Sequence, residues 1–81
     1  MDEQTVFSHI SQIVTRLLED KGRSGVVVKP DSELLGGAVG IDSLDLAMLV
    51  RELEEICGFD PFASGFIEFR TAGELARLYT R

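Results

Sequence analysis

Apolar residues recur at helical spacing along residues 4–20, and this periodicity limits the fold more than any other feature of the chain. At roughly 100° per residue, Val6, Phe7, Ile10, Ile13, Val14, Leu17 and Leu18 fall on one face. Ser8, Ser11, Gln12, Thr15, Arg16 and Glu19 fall on the other, and Gly22 is placed to stop the helix. A helix with one apolar face must bury that face against another element, so the rest of the chain has to supply partners.

Two further segments can do so. A second helix is expected from Ser43 to just before Gly58, with Asp42 as its N-cap and Asp45 as a carboxylate favoured in its first turn. Near the end, Thr71-Ala72-Gly73-Glu74 has the capping-box pattern, and Leu75, Ala76, Leu78 and Tyr79 give a short final helix its apolar face. Residues 59–70 read as irregular, with one short helical turn after Pro61. Residues 22–41 hold five glycines and Pro30. They read as a long loop tacked to the core by Val26, Val27, Val28, Leu34 and Leu35, because an isolated strand is unstable. The expectation is all-α, a small three- to four-helix bundle with a long loop between helices 1 and 2, forming one domain over residues 1–81.

Length and charge narrow the functions such a bundle can have. Eighty-one residues can bury a core but leave little room for a deep active-site cavity. Fourteen acids against eight bases give a net charge of −6, which disfavours nucleic acid and anionic membranes and favours partners with basic patches. One cysteine and one histidine cannot build a disulfide or a usual zinc site, so no metal is expected. The first residues lack the basic and apolar regions of a signal peptide, and no apolar run approaches a membrane span. A cytoplasmic monomer is expected.

The second helix carries the most information. Leu46, Leu49, Val50, Leu53, Ile56 and Cys57 cluster on the side expected to meet the core. Leu44, Ala47, Met48, Arg51, Glu52 and Glu55 lie opposite. Two sizeable apolar residues, Leu44 and Met48, thus face outward one turn apart, rimmed by Asp45, Glu52 and Glu55, in the manner of a small docking patch. From Ile41 to Asp60 six acids stand against Arg51 alone, which places −5 of the −6 in this region. Such charge beside an exposed apolar pair suits guidance of a basic partner.

Catalysis by the chain itself is not expected. A nucleophilic Ser43 needs a base within reach, and nothing in the sequence brings His9 to it. Cys57 projects to the core side as a small hydrophobe, and no G-x-S-x-G, Walker or dinucleotide pattern is present. Ser43 is then either a helix-start residue or a point of attachment. Its position suits a phosphodiester, since helix N-termini accept phosphate groups.

The segment GIDSLDLAMLVRELEEICGFDPF resembles the central part of acyl carrier proteins and their peptidyl carrier relatives. Those share a helix-opening D-S-L motif, an acidic recognition helix and an E-x-x-x-G-hydrophobic close, where Glu54, Glu55, Gly58 and Phe59 stand here. Downstream, FRTAGELARLY is similar to the family's T-x-G-[DE]-L segment through Thr71, Gly73, Glu74 and Leu75. The resemblance implies that a phosphopantetheinyl transferase attaches 4′-phosphopantetheine from coenzyme A covalently to Ser43, beside Asp42 of the motif. It also implies docking of partner enzymes through Asp42, Leu44, Asp45, Met48, Glu52 and Glu55, on the face that carries Ala47 and Arg51 as well. Those partners are acyltransferases, adenylation enzymes or ketosynthase-type enzymes with basic docking patches.

Three departures bear on the pathway. The Gly36–Gly40 stretch is longer and more flexible than the family's usual approach to D-S-L. Residues 60–69 carry Phe62, Phe66 and Phe69 but, after Asp60, one acid, Glu68, and Arg51 interrupts the recognition face. Together these favour a discrete carrier of a specialised pathway, polyketide or aminoacyl, over a housekeeping fatty-acid carrier. The competing expectation from another class is an unmodified helical adaptor docking through Leu44 and Met48.

Overall fold

The computed structural model describes residues 1–37 and 39–80, so Ala38 of the glycine-rich approach to Ser43 lies outside the described residues, as does Arg81. Three helices are present in chain order: α1, Glu3–Asp20; α2, Ser43–Cys57; and α3, Ala72–Leu78. The all-α expectation holds, with a three-helix outcome.

Each helix begins where a side chain can satisfy its first free N–H groups. Asp2 accepts from Thr5 N at 2.7 Å to open α1, and Asp42 accepts from Asp45 N at 2.8 Å to open α2. Thr71 and Glu74 form the full reciprocal capping box of α3. Glu74 Oε1 accepts from Thr71 N at 3.1 Å, and Thr71 Oγ1 accepts from Glu74 N at 3.1 Å. α2 stops at Gly58, whose φ of +81° lets its N–H donate to Glu54 O at 2.8 Å.

α1 packs directly on both α2 and α3, whereas among the described residues α2 and α3 do not meet along their backbones. Val6, Ile10, Ile13, Val14, Leu17 and Leu18 of α1 are buried at the centre, with Leu49 and Leu53 on one side and Leu75 and Ala76 on the other. Tyr79 closes the space between α2 and α3. It is fully buried, its hydroxyl donates to Val50 O at 3.3 Å, and Phe59 and Phe62 pack against its ring.

Two details of the loops correct the sequence expectations. In residues 22–41, Val28 and Leu34 are buried as expected, but Val27 and Leu35 are exposed and the inner anchors are Val39 and Ile41. The reason is a backbone clamp onto the start of α3. Leu34 N donates to Arg70 O, Ala72 N to Ser32 O and Gly73 N to Pro30 O, around an isolated antiparallel bridge between Glu33 and Thr71. That clamp fixes which way each side chain points. After Pro61 the chain makes turns and no helix: Phe62 N donates to Asp60 Oδ1 at 2.9 Å and Gly65 N to Phe62 O at 3.0 Å.

Gly73 is where the clamp is tightest. A Cβ there would meet Pro30 O at 2.8 Å, closer than real Cβ contacts allow. Gly73→Ala is therefore expected to cost about 1–3 kcal/mol in a denaturant titration, as overpacking does in a well-filled site.

Candidate functional site

Ser43 is the first residue of α2, and its side chain takes no part in capping it. Asp42 performs that task, which removes the structural reason for a hydroxyl at position 43. Ser43 is exposed and its Oγ has no hydrogen-bond partner among the described residues. Such a hydroxyl is open to an incoming enzyme.

Two turns of α2 beyond Ser43 present the face expected from the sequence. Leu44 is 71% exposed and Met48 40% exposed, with Ala47, Arg51 and Glu55 exposed around them. Ile56 departs from the expectation of a core contact and is exposed. α2 ends one residue later, and Phe59 of the following segment packs against the core, its ring beside Tyr79.

The acids around this face are less free than their number suggests. Asp45 was expected at the rim of the docking patch, but it is only 4% exposed. It lies one turn before Leu49 on the buried stripe, and a buried carboxylate requires a counter-charge. Lys21, at the end of α1, supplies it through an ion pair with Asp45 Oδ2. The same ammonium lies 3.0 Å from Asp42 Oδ2. The Asp45 backbone N–H first, and Lys21 second, hold the Asp42 carboxyl below the usual carboxylate range. Hydrogen bonds to Asp45 and then Asp42 hold the Lys21 ammonium above its ordinary range. Glu52 is half-buried and paired with Arg16 of α1. Of the docking acids expected, only Glu55 is both exposed and outside these pairs.

A groove missed by the sequence reading begins at Ser43. One wall is α2, through Leu46, Ala47, Val50, Arg51 and Glu54, and the other is Phe62, Phe66 and Phe69, enclosing about 420 Å³. Phe62 stacks on Phe66 at 5.7 Å, and Phe69 lies 5.9 Å from Phe62 and 6.2 Å from Phe66. Phe66 remains 77% exposed, as an aromatic lip. The three phenylalanines at spacings of four and three were the available signal, but no periodic element orders them.

Neither candidate catalytic group joins the site. His9 is half-buried on α1 and shares no described hydrogen bond with Ser43. Cys57 is half-buried, not fully buried as its position on the core side suggested, and burial pushes its thiol up, away from the reactive thiolate.

The sequence model of the family described as "Phosphopantetheine attachment site" matches residues 9–79, and the chain belongs to that family. No curated protein and no solved structure matches the chain. The chain is accordingly a carrier of the acyl or peptidyl type whose cofactor is covalent 4′-phosphopantetheine, and its partners are modifying and biosynthetic enzymes. The residues at the start of α2 fit that group: an exposed, unengaged hydroxyl opens onto a groove large enough to admit a flexible arm. No described helix is long and apolar enough to cross a membrane.

Proposed function

We propose that Ser43 is the attachment residue and that the chain is a carrier of a specialised biosynthetic pathway. The observation that carries the attachment reading is the exposed Ser43 Oγ, left unengaged because Asp42 caps the helix. In loading, Ser43 Oγ bonds to the phosphorus nearer the pantetheine of coenzyme A, and the bond between the two phosphates breaks. Adenosine 3′,5′-bisphosphate leaves, and the hydroxyl proton passes to a base of the transferase. Once in place the group supplies a thiol that holds an acyl or aminoacyl unit as a thioester. The chain's own part is to present the serine, to dock partners and to keep the arm's root in a fixed place. A tether of this kind raises the substrate's effective concentration at each docked enzyme.

The docking face in this reading is Leu44, Ala47, Met48, Arg51 and Glu55, with Asp42, Asp45 and Glu52 acting through their ion pairs. Its partners are a phosphopantetheinyl transferase and acyltransferase, adenylation or ketosynthase-type enzymes with basic patches. A polyketide or aminoacyl pathway is favoured over housekeeping fatty-acid synthesis by Arg51 on the docking face and by the aromatic wall of the groove. The unmodified adaptor is set aside, because the family is defined by the group it carries.

Incubation with coenzyme A and a broad-specificity transferase, followed by intact-mass measurement, tests the proposal. A gain of one phosphopantetheine is expected; an unchanged mass contradicts it. Met48→Glu tests docking. The side chain is partly exposed, so the fold is retained, while a charge in the apolar centre of the face is expected to lower loading kcat/KM about tenfold. Native kinetics for this variant contradict the assignment of the face.

A further inference from the structure

Lys21 lies twenty-two residues before Ser43, yet its ammonium bridges the carboxylates on both sides of that serine. Asp42 precedes Ser43 and Asp45 follows two residues later, and both pair with that ammonium in the helical turn that the attachment reading loads. A phosphodiester adds a third negative charge to this turn. The helix start offers it less than usual, because Asp42 already occupies the Asp45 N–H. The cation paired with both carboxylates of this turn is Lys21.

We propose that Lys21 is the counter-ion of the phosphodiester at Ser43, a positioning residue that couples the end of α1 to the loaded state of α2. This inference rests on the assignment of Ser43. Before loading, Lys21 offsets two carboxylates and keeps the buried Asp45 compensated. After loading it also offsets the phosphodiester, so the arm's root is held against the junction of α1 and α2. Without it, three like charges crowd one helical turn without the lysine that bridges two of them, and the share of their repulsion that involves the phosphodiester appears only when the group is attached.

The test compares melting temperatures of loaded and unloaded chains at low ionic strength. In the native chain, loading is expected to leave Tm unchanged or raise it. In Lys21→Met, loading is expected to lower Tm by about 3 °C or more, a shift that added salt reduces. Lys21→Arg is expected to restore native behaviour. A purely structural lysine shifts both forms of the variant equally, so an equal loading shift in native and Lys21→Met chains overturns the proposal. If Lys21→Met does not fold, the pair Lys21→Met with Asp45→Asn removes the uncompensated buried charge. Asp42 and the phosphodiester still repel there, so loading must again lower Tm, and an unchanged Tm overturns the proposal. Loading of Ser43→Ala separates the two claims: a mass gain in that variant ends the attachment reading, whereas a native-like loading shift in Lys21→Met ends this one alone.

Discussion

Ser43→Ala is expected to leave a folded chain that gains no mass from coenzyme A and a transferase. Two observations make the loss complete and keep it separate from stability. The side chain is exposed and makes no described hydrogen bond, so truncation removes no packing and leaves no group unpaired. The cap of α2 belongs to Asp42, and alanine is a better helix former than serine, which holds the stability change within about 0.5 kcal/mol. Loading at Ser43, as proposed, by contrast needs an oxygen at this position. The variant is checked by circular dichroism for fold and by intact mass for modification. A folded Ser43→Ala chain that still takes up the group rules out Ser43 as the attachment residue.

The largest expected loss of stability is at Tyr79. Its ring is fully buried where α1, α2 and the aromatic segment converge, with Phe59 at 5.9 Å and Phe62 at 6.3 Å. Burial first, and the charge of Asp60 second, push the phenol above its ordinary value, so it stays protonated and donates to Val50 O. Tyr79→Ala empties this junction and is expected to cost about 3–5 kcal/mol, as large-to-small aromatic truncations do in cores. Domains have total stabilities of about 5–15 kcal/mol, and an 81-residue chain belongs in the lower part of that range. The variant is thus expected to be largely unfolded well below the native Tm. Tyr79→Phe keeps the ring and gives up a 3.3 Å hydrogen bond, for an expected cost of about 1 kcal/mol. Thermal melts of the two variants check both values, and equal losses in the two contradict a packing role for the ring.

The helices were legible in the sequence because their signals are local. Asp42, Gly58, Thr71 and Glu74 act within a turn or two of themselves, and the apolar period names the buried face without reference to any other element. The outward placement of Leu44 and Met48 followed from the same register. What was not legible depends on residues far apart in the chain. Asp45 shows the limit well: its register, one turn before Leu49, put it on the buried stripe, and its charge argued for the surface. Register prevailed because Lys21 arrives from the end of α1, and no period within α2 reports that lysine. Arg16 does the same for Glu52. The clamp of Pro30, Ser32 and Leu34 onto the start of α3 is also invisible locally, and it decides that Val39 and Ile41 point inward while Leu35 points out. The groove required Phe62, Phe66 and Phe69 to converge from irregular backbone, where neither the helical nor the strand period applies.

These long-range contacts change the picture of the docking face. Three acids of the proposed face are paired from within by two cations, Arg16 and Lys21, so a partner docking there would meet exposed Leu44 and Met48 with Glu55 beside them, and not an unbroken ring of free carboxylates. A partner's basic residue must compete with Lys21 for Asp42, which favours the weak, rapidly exchanging contacts that a carrier serving several enzymes needs.

Peptide mapping of the loaded chain tests the central claim most directly. Trypsin cuts after Arg23 and Arg51 and spares the Lys29–Pro30 bond, so one fragment, residues 24–51, carries Ser24, Ser32 and Ser43. Fragmentation of that peptide is expected to place the whole phosphopantetheine mass on Ser43. The same mass on Ser24, Ser32 or any residue outside the fragment would contradict the assignment.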